Sequence, residues 1–551
     1  MKVIIVGGVA GGASAAARIR RLDETAEIVI MERSGYISYA NCGLPYYVGG
    51  VIGDRNDLTV QTPEGFRRRF RIDVRTNHEV TSVDAKQKTV TVKNLVTGES
   101  FCEKYDKLLL SPGAKPVVPD YPWIGNPNVF TLRTVEDTLR IREFVDREKP
   151  ATAAIVGGGF IGLEMAENLT ERGVSVTVLQ RSDQLFGAFD RDIASFIHAK
   201  LRAHGVRLIF GADAADHPCI QEAEMILLSV GVTPESALAK DSGLRLGTKG
   251  TIAVNDRMQT SDPDIYAVGD AVEIRNRVTR EISHIALAGP ANKQARIAAD
   301  NICGGDSRYK GSQASSVIKL FDMTAAVTGI NEKTAKRLGL RYERIVLSPA
   351  SHAGYYPGAK VMTIKVLYEK DTKKLLGAQI VGYDGVDKRI DVLATAIYAG
   401  LAADELKDLD LAYAPPYSSA KDPVNMAGFM IDNIENGLVS QFHHDELDDI
   451  RKMENVFLLD TRTPTEYARG HAEGFVNIPL DSLRERLCEL DRSKKIYIMC
   501  QSGLRSYLAA RILSENGFDC CHFSGGYRFY ESVTRDRLAA EQALPCGMDL
   551  S

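Results

Sequence analysis

The sequence predicts an α/β protein with several parallel sheets, each flanked by helices. Three regions indicate this fold class, because in each one a short apolar strand leads into a helical pattern, as in doubly wound α/β proteins. They begin at KVIIVGG, at ATAAIVGGG just after Pro150, and at VFLLDTR near the C-terminus. A chain of 551 residues is also too long for one hydrophobic core, so we expect several domains.

The chain between residues 311 and 435 has a different pattern. Alternating strands, among them VMTIKVLYE and KLLGAQIVG, come before a helical stretch, DVLATAIYAGL. This order predicts an α+β domain rather than a further parallel sheet. The polar stretch NGLVSQFHHD at 436–445 is typical of a linker, and the final EQALPCGMDLS is typical of a tail.

The composition is that of an ordinary globular protein with a small substrate. Charged residues make up 25% of the chain and the net charge is -4, a balance that favours neither nucleic acid nor an anionic membrane as a partner. No stretch approaches the roughly 20 apolar residues of a membrane span. Glycines interrupt the N-terminal apolar run, so we interpret it as strand, turn and helix rather than as a secretory signal. Nine cysteines without framework spacing predict reduced thiols and a cytoplasmic protein.

The second region carries a dinucleotide-binding pattern. Gly157, Gly159 and Gly162 form GxGxxG between a strand and a helix, where glycine lets the backbone approach a pyrophosphate at the helix N-terminus. An acid that holds a ribose hydroxyl is expected at the end of the return strand, but Gln180 and Arg181 stand there. Gln180 can still hydrogen-bond a ribose and Arg181 can meet a 2′-phosphate, so NADH and NADPH both remain open.

The first region departs from the same pattern at one position. Gly7 and Gly12 occupy the first and third glycine positions of GGVAGG, while Val9 stands at the second. The return strand ends in Glu32, where a ribose acid is expected. Further along, TSDPDIYAVGDAV places Asp270 after a short strand, and LLLSPGAKP supplies a second strand-glycine turn. Two such regions in one chain imply two nucleotides.

A lone cysteine, Cys42, lies in SYANCGLPYY, and the next cysteine is Cys102. Pro45 suits the first turn of a helix, which would place Cys42 at a helix N-terminus where the dipole stabilises a thiolate. A single thiolate can hold a mixed disulfide or persulfide with a second molecule, or cycle through sulfenic acid. A buried, inert cysteine is the alternative.

A second reactive cysteine is expected in CQSGLRS. Cys500 follows an apolar strand, and the loop after it runs straight into a helix. Such a loop aims backbone N–H groups at the sulfur, while the helix dipole and Arg505 stabilise a thiolate or a persulfide anion. A structural cysteine at the end of a strand is the alternative.

Taken in this order, the motifs of residues 1 to 435 resemble those of the flavoprotein pyridine nucleotide-disulfide oxidoreductases. The resemblance implies two Rossmann-like domains, of which the first binds FAD and the inserted second binds NAD(P)H. It assigns FAD to Gly7, Gly12, Glu32 and Asp270, and the nicotinamide nucleotide to Gly157, Gly159, Gly162 and Gln180.

Within that superfamily, SYANCGLPYYVGG resembles the coenzyme A-disulfide reductase branch. Most disulfide reductases carry CxxxxC, whereas in this branch the second thiol is that of coenzyme A. The resemblance also implies a homodimer in which tyrosines of the dimerisation domain reach the partner subunit's cysteine. Tyr355 and Tyr413 are the candidates, with Tyr417 in reserve, and a phenol there can protonate a leaving thiolate. Tyr-Pro packing that only shapes the loops is the alternative.

Coenzyme A carries phosphates, so its site needs cations. The candidate cations are Arg18 and Arg21 on the first helix and Arg68 in the run FRRRFR, with Ser38, Asn41 and Gln61 as polar contacts near the thiol. A solvated basic face is the alternative interpretation of the arginine run.

The C-terminal region resembles a single rhodanese domain over about 446 to 534. The resemblance rests on LLDTRTPTEYARGHAEGFVNIPL, CQSGLRS and FSGGYRFY. It implies that Cys500 is the sulfur-accepting nucleophile, that Arg505 stabilises the loop, and that Asp460 is structural. Phe529 and Tyr530 stand where many members have a tryptophan.

These observations predict two Rossmann-like domains, an α+β dimerisation domain and a C-terminal rhodanese α/β domain, with no metal site. The predicted boundaries are 1–110 and 250–310 for the FAD-binding domain, 111–249 for NAD(P)H, 311–435 for dimerisation, 436–445 for the linker, 446–534 for the rhodanese domain and 535–551 for the tail.

The function expected from this combination is reduction of sulfane sulfur. Hydride would pass from NAD(P)H to FAD, and the electrons would reach sulfur held at Cys42, with coenzyme A persulfide or polysulfide as substrate and hydrogen sulfide as product. Cys500 would carry sulfane sulfur to or from coenzyme A. Three alternatives remain open: coenzyme A disulfide as the substrate, NADH oxidase or peroxidase chemistry through a Cys42 sulfenate, and a sulfur carrier or redox sensor without turnover.

Overall fold

The computed structural model describes residues 1–542 and divides the chain into two compact units. The first unit contains Met1–Asp183 and Leu208–Ala314, and the second contains Gln184–Arg207 and the chain from Ser315 onward. Residues 543–551 of the predicted tail lie outside the described residues. No helix among residues 1–542 is both long and apolar enough to cross a membrane.

The first sheet of the first unit has five parallel strands in the order β15-β7-β1-β2-β3. Val3 and Ile5 face one apolar cluster and Ile4 faces another, because side chains alternate across a strand and both faces of this sheet are covered. Helices α1 and α9 pack on each other over one face. The elements are Lys2–Val6 (β1), Ala10–Leu22 (α1), Glu27–Glu32 (β2), Asp73–Thr76 (β3), Lys107–Leu110 (β7), Ile265–Ala267 (β15) and Ala288–Ile302 (α9).

The second sheet of this unit has the order β12-β11-β10-β13-β9. The central strand β10 pairs in parallel with β11 and β13, and the apolar run before Gly157 is buried between them. Its elements are Val129–Thr131 (β9), Val135–Glu148 (α4), Thr152–Val156 (β10), Phe160–Glu171 (α5), Ser175–Gln180 (β11), Arg207–Phe210 (β12) and Met225–Leu228 (β13).

Smaller elements complete the first unit. The strands His78–Asp84 (β4), Thr89–Asn94 (β5) and Ser100–Lys104 (β6) form an antiparallel meander, and two antiparallel pairs join Ala114–Pro116 (β8) with Val232–Pro234 (β14) and Ile274–Arg275 (β16) with Ile282–Ser283 (β17). The short helices are Leu44–Gly49 (α2), Pro63–Phe70 (α3), Pro218–Gln221 (α7) and Ala237–Asp241 (α8).

The second unit contains one antiparallel sheet in the order β18-β19-β22-β21-β20. Helix α11 packs on β19 and β22, and helix α6 contacts β22 and β18. The elements are Arg191–Ala203 (α6), Ser316–Leu320 (β18), Met323–Gly329 (β19), Glu332–Arg337 (α10), Tyr342–Leu347 (β20), Thr363–Glu369 (β21), Leu375–Gly382 (β22), Val386–Ala399 (α11) and Pro423–Glu435 (α12).

The other sheet of the second unit is parallel, with the order β23-β27-β26-β24-β25. Its elements are Gln441–Phe442 (β23), Leu447–Ile450 (α13), Val456–Asp460 (β24), Pro464–Arg469 (α14), Val476–Asn477 (β25), Leu480–Leu483 (α15), Lys495–Met499 (β26), Leu504–Glu515 (α16), Cys520–Phe523 (β27) and Gly526–Gln542 (α17). The predicted fold class is confirmed, since two parallel sheets, an α+β region and a third parallel sheet follow one another along the chain.

Regular elements extend into the predicted linker and the predicted tail. Phe442, in the predicted linker, belongs to β23 and is buried against the rings of Tyr497 and Phe523. Helix α17 continues past residue 534, because Ser532 and Asp536 are buried where they hydrogen-bond side chains of α6. The linker and tail are therefore shorter than their polar compositions suggest.

A buried cluster of charges joins three segments of the second unit. The ammonium group of Lys365, on β21, is fully buried 3.0 Å from Asp190 and 2.6 Å from Asp192, and it also pairs with Glu332. Arg344 pairs with Glu332 from the other side. Although burial opposes the shift, the charges of Lys365 and Arg344 lower the pKa of Glu332 to about 2.

We expect Lys365→Met to destabilise the second unit strongly. The substitution leaves three carboxylates without their shared cation, and breaking a buried pair in this way costs about 3–5 kcal/mol. The free energy of unfolding, measured with guanidinium chloride, should fall by that amount. Lys370→Met is the matched control, because its partly exposed pair with Glu343 should contribute about 0–1 kcal/mol. Equal effects of the two variants would contradict the assignment.

Candidate active sites

The glycine turn after β1 is shaped by close backbone contacts. Gly7 has φ +94°, and a Cβ atom there would lie 2.2 Å from the carbonyl oxygen of Ser111. A Cβ atom on Gly12 would lie 1.9 Å from the carbonyl oxygen of Gly7. Val9, which replaces the middle glycine of the pattern, is the N-cap of α1 and lines the adjoining cavity. The turn therefore forms despite this departure.

The cavity at this turn has a volume of about 400 Å³, within the usual range for ligand sites. Glu32 and Asp270 both line it. The buried carboxylate of Glu32 accepts hydrogen bonds from the N–H groups of Gly8, at 2.8 Å, and Ser34, at 2.9 Å, and burial raises its pKa. A carboxylate has about four lone-pair positions, so Glu32 can still accept ribose hydroxyls.

Two further polar groups line the same cavity. Arg133 donates to the Oδ2 atom of Asp270 at 2.6 Å. The Oδ1 atom of Asn41 is buried and has no hydrogen-bond partner within residues 1–540. A glycine turn, a ribose-type acid, a cation and an unsatisfied acceptor together fit a dinucleotide such as FAD.

In the second glycine turn, close backbone contacts require two of the three glycines but not the other. Gly157 has φ +104°, with an added Cβ atom 2.5 Å from the Ser229 carbonyl oxygen, and a Cβ atom on Gly162 would lie 2.1 Å from the Gly157 carbonyl oxygen. At Gly159, the N-cap of α5, a Cβ atom would meet nothing within 4 Å. The fold therefore leaves open space at this second glycine of the pattern, which suits the close approach of a pyrophosphate.

Gln180 occupies the place in the second turn that Glu32 has in the first. Its Oε1 atom accepts the N–H of Gly158 at 2.8 Å, as Glu32 accepts that of Gly8. Its Nε2 atom donates to the Ser182 hydroxyl at 2.7 Å, and the neighbouring Arg181 is exposed. This turn thus keeps its hydrogen bond without the negative charge that would repel a 2′-phosphate.

Cys42 lies in the 3-10 turn Asn41–Gly43, immediately before α2, and Pro45 stands in the first turn of that helix as expected. The side chain is exposed. Partial burial, with the charges of Glu164 and Asp270, raises the pKa of Cys42, a shift opposite in direction to the one predicted from the helix dipole.

Glu164 is a residue near Cys42 that the sequence analysis missed. It lies on α5, the helix that starts at the second glycine turn and packs against α2. Burial and the charge of Glu167 raise its pKa to about 7. It can therefore exchange a proton near neutral pH. The available signal was a pair of glutamates, Glu164 and Glu167, within an otherwise apolar helix pattern.

The predicted coenzyme A contacts fall into two groups. Backbone hydrogen bonds of 2.8 Å from Ala40 to Leu58 and from Val60 to Ser38 bring the Cys42 loop beside the segment that carries Gln61. The predicted polar contacts Ser38, Asn41 and Gln61 thus lie on two adjoining stretches. Of the predicted cations, Arg18 is paired with Asp300 at 2.8 Å, whereas Arg21 and Arg68 are exposed and have no ion pair within the described chain.

The structure brings two of the three candidate tyrosines together. The hydroxyls of Tyr355 and Tyr413 lie 2.6 Å apart, and the hydrogen bond with Tyr355 raises the pKa of Tyr413. Both rings are largely exposed, as is Tyr417. The buried guanidinium of Arg389 donates to the carbonyl oxygens of Ser351, at 2.9 Å, and Tyr417, at 3.1 Å. Arg389 therefore ties the two tyrosine-bearing loops together.

Cys500 follows β26 and is only 1% exposed. Its Sγ atom accepts the N–H of Gly503 at 3.1 Å and lies 3.3 Å from the hydroxyl of Ser506. The same hydroxyl is 3.4 Å from Nδ1 of His522, whose pKa burial lowers to about 4. An amide and a hydroxyl thus contact this sulfur, and the uncharged imidazole lies behind the hydroxyl.

Arg505 and Arg462, near the Cys500 loop, are each paired with a carboxylate. Arg505 donates to the two oxygens of Glu466 at 2.7 and 2.6 Å. Arg462 is buried against Asp460, with contacts of 3.0 and 2.8 Å to Oδ2, and stacks 3.8 Å over the ring of Tyr527. Asp460 thus has a structural contact, as its predicted role requires, and Glu466 was not anticipated.

Comparison with known families divides the chain into three parts. Residues 1–295 match the pyridine nucleotide-disulphide oxidoreductase family, residues 315–423 match its dimerisation domain, and residues 443–532 match the rhodanese-like domain.

Similar proteins support the same division. Coenzyme A disulfide reductase of Staphylococcus haemolyticus is 39% identical over 438 residues, which cover 78% of this chain and 98% of that protein. The crystal structure of reduced Bacillus anthracis CoADR-RHD is 49% identical, with a TM-score of 0.94, and the match covers 97% of this chain and 98% of that one. An NAD-dependent persulfide reductase from A. fulgidus is 36% identical, with a TM-score of 0.89, and the match covers 96% of this chain and 100% of that one.

The glycine turns and the ribose-type acid agree with these matches, which extend over more than half of the chain and nearly the full length of the relatives. The chain therefore belongs to the pyridine nucleotide-disulphide oxidoreductase family, as an oxidoreductase that uses FAD and NAD(P)H and carries a dimerisation domain and a C-terminal rhodanese-like domain.

Proposed function

We propose that this protein reduces the sulfane sulfur of coenzyme A persulfide or polysulfide with NAD(P)H and releases hydrogen sulfide. The observation that carries the proposal is the presence in one chain of an exposed, solitary thiol, Cys42, and a sulfur-cradling cysteine, Cys500. Similarity to a coenzyme A disulfide reductase and to a persulfide reductase supports it.

The first chemical step belongs to Cys42. Its thiolate attacks the inner sulfur of CoA–S–SH, so that a Cys42–S–S–CoA disulfide forms and hydrosulfide leaves. When bound, FAD would accept hydride from the nicotinamide nucleotide and pass two electrons to sulfur. Two-electron reduction would cleave the mixed disulfide into the thiolates of Cys42 and coenzyme A. The balanced reaction is CoA–S–SH + NAD(P)H + H⁺ → CoA–SH + H₂S + NAD(P)⁺.

Proton supply can come from two sources on this chain. Glu164, with its pKa of about 7, can lose and regain a proton near Cys42. In the proposed homodimer, the Tyr355–Tyr413 hydroxyl pair of one subunit serves the cysteine of the other, where a phenol protonates the departing thiolate of coenzyme A. Ser38, Asn41 and Gln61 bind the arm of coenzyme A, and the exposed Arg21 and Arg68 bind its phosphates.

The role proposed for Cys500 is to form the persulfide that Cys42 consumes. Cys500–S–SH transfers its outer sulfur to the thiol of coenzyme A, which gives CoA–S–SH and restores the Cys500 thiol. Coenzyme A then accepts sulfur at Cys500 and carries it to Cys42 as the substrate. Reduction of coenzyme A disulfide is the second candidate function, since the Staphylococcus relative is named for that reaction.

We expect anaerobic NAD(P)H consumption to be faster with coenzyme A persulfide than with coenzyme A disulfide, with one sulfide released per NAD(P)H. Cys42→Ser should lower kcat at least 100-fold because the mixed disulfide cannot form. Cys500→Ser should stay within threefold of the parent when coenzyme A persulfide is supplied, since that substrate bypasses Cys500. A faster reaction with coenzyme A disulfide, or full activity of Cys42→Ser, would overturn persulfide reduction as the main function.

The tyrosine assignment predicts different effects for neighbouring substitutions. Tyr413→Phe and Tyr355→Phe should each lower kcat about 100-fold, the lower end for loss of general acid catalysis. Tyr417→Phe is the matched control and should stay within twofold, because its hydroxyl is outside the hydrogen-bonded pair. Steady-state kinetics with each variant at several pH values measures this, and equal losses in all three would contradict it.

The neutral Gln180 predicts that NADPH is accepted as well as NADH. Gln180→Glu should lower kcat/KM for NADPH about tenfold and leave kcat/KM for NADH within threefold, because a carboxylate there repels a 2′-phosphate. Arg181→Gln should act in the same direction. NADH serves as the internal control, and an unchanged ratio of the two nucleotides in both variants would refute the proposed role of this turn.

A further inference from the structure

In the Cys500 loop, the groups that can hydrogen-bond an anionic sulfur are neutral. Only one side chain between Cys500 and Ser506 is charged. Between Cys500 and Ser506 the chain reads Gln, Ser, Gly, Leu and Arg. The N–H of Gly503 at 3.1 Å and the hydroxyl of Ser506 at 3.3 Å are the groups that contact the sulfur. The Ser506 hydroxyl donates to the Gly503 carbonyl oxygen, so of these two groups only the backbone N–H of Gly503 donates to the sulfur. A backbone N–H supplies a partial positive charge, which suits a sulfur with one negative charge.

The charge of Arg505 is already neutralised. Both of its terminal nitrogens donate to Glu466, at 2.7 and 2.6 Å. One oxygen of Glu466 also accepts the N–H of Thr463 at 2.8 Å and its hydroxyl at 2.9 Å. The hydrogen bonds from Arg505 lower the pKa of Glu466 to about 2, so the carboxylate is ionised throughout the physiological range. The pair therefore has no net charge.

Sulfane-sulfur donors differ in the charge they bring to this loop. Transfer from a persulfide is Cys500–S⁻ + R–S–SH → Cys500–S–SH + R–S⁻, and the approaching group is neutral or has one charge. Transfer from thiosulfate is Cys500–S⁻ + S–SO₃²⁻ → Cys500–S–S⁻ + SO₃²⁻, in which a thiolate meets a dianion. With the charge of Arg505 balanced by Glu466, the second approach is opposed by Coulomb repulsion at short distance.

We propose that the Arg505–Glu466 pair makes Cys500 selective for donors whose reacting end has at most one negative charge, alkyl persulfides above all, and against thiosulfate. This inference rests on the proposed sulfur-transfer role of Cys500 and names its donor class. Coenzyme A persulfide fits the class, since its phosphates are separated from its sulfur by the long pantetheine arm. Glu466 is then a specificity-determining residue that acts through Arg505.

Leu504 provides a way to test charge without touching the pair. It precedes Arg505, is 59% exposed, and its apolar side chain makes no hydrogen bond that the substitution would break. Leu504→Lys adds a cation to the loop, and Leu504→Gln is the matched neutral control. Glu466→Gln removes the negative charge that balances Arg505. Because it also removes the carboxylate that caps α14, the folding of this variant is checked by thermal unfolding.

The experiment measures the rate of persulfide formation on Cys500 in the full-length protein without NAD(P)H, by rapid alkylation and mass spectrometry of the Cys500 peptide. The donors are thiosulfate and pantetheine persulfide, which has the arm of coenzyme A without its nucleotide. We expect Leu504→Lys and Glu466→Gln to raise the thiosulfate rate constant about tenfold and to change the persulfide constant less than threefold. Leu504→Gln should change neither, and high salt should abolish the gain of Leu504→Lys.

The outcomes separate this inference from the function on which it rests. An unchanged ratio of the two donors in both charge variants, or a parent protein that reacts as fast with thiosulfate as with pantetheine persulfide, would overturn the selectivity while leaving Cys500 as a sulfur carrier. No persulfide on the parent's Cys500 with either donor would overturn the carrier role itself. The Cys42-dependent consumption of NAD(P)H is measured separately and is unaffected by either result.

Discussion

Each motif-bearing turn of the parallel sheets depends on a central strand that passes directly into a helix. Strand β1 leads through Gly7 into α1, β10 leads through Gly157 into α5, and β26 leads through Cys500 into α16. Backbone N–H groups at the start of a helix have no partner within it, so each turn presents free donors. One backbone arrangement thus forms two candidate pyrophosphate sites and one sulfur cradle.

Features that are local in the sequence could be predicted from it. The two glycine patterns and the loop at Cys500 each lie within a few residues of the strand that positions them, and the helix after Cys42 is marked by its own proline. The structure adds a physical reason, because added Cβ atoms at Gly7 and Gly157 would meet carbonyl oxygens, and one at Gly159 would meet nothing. The fold class followed from the same strand-helix alternation.

Features that depend on distant residues could not be predicted. Arg505 is paired with Glu466, 39 positions away, and Arg18 is paired with Asp300, 282 positions away. Neither pairing is visible in a motif, although each neutralises a cation that the sequence analysis assigned to a ligand. The pKa of Cys42 is raised first by burial and then by Glu164 and Asp270, which come from segments far along the chain. The charge that a ligand meets at a site therefore depends on side chains that the fold brings together from distant parts of the sequence.

Helix α6 is far in sequence from the rest of the unit to which it belongs, so the two units are not two continuous stretches of chain. It lies between β11 and β12 in sequence, yet it belongs to the second unit, where Ser195 and His198 hydrogen-bond Ser532 and Asp536 of α17. A chain truncated before the C-terminal domain would lose one hydrogen-bond partner of each of these side chains. Because both are buried in the full chain, such a protein would have to hydrate a surface of α6 that the C-terminal helix now covers.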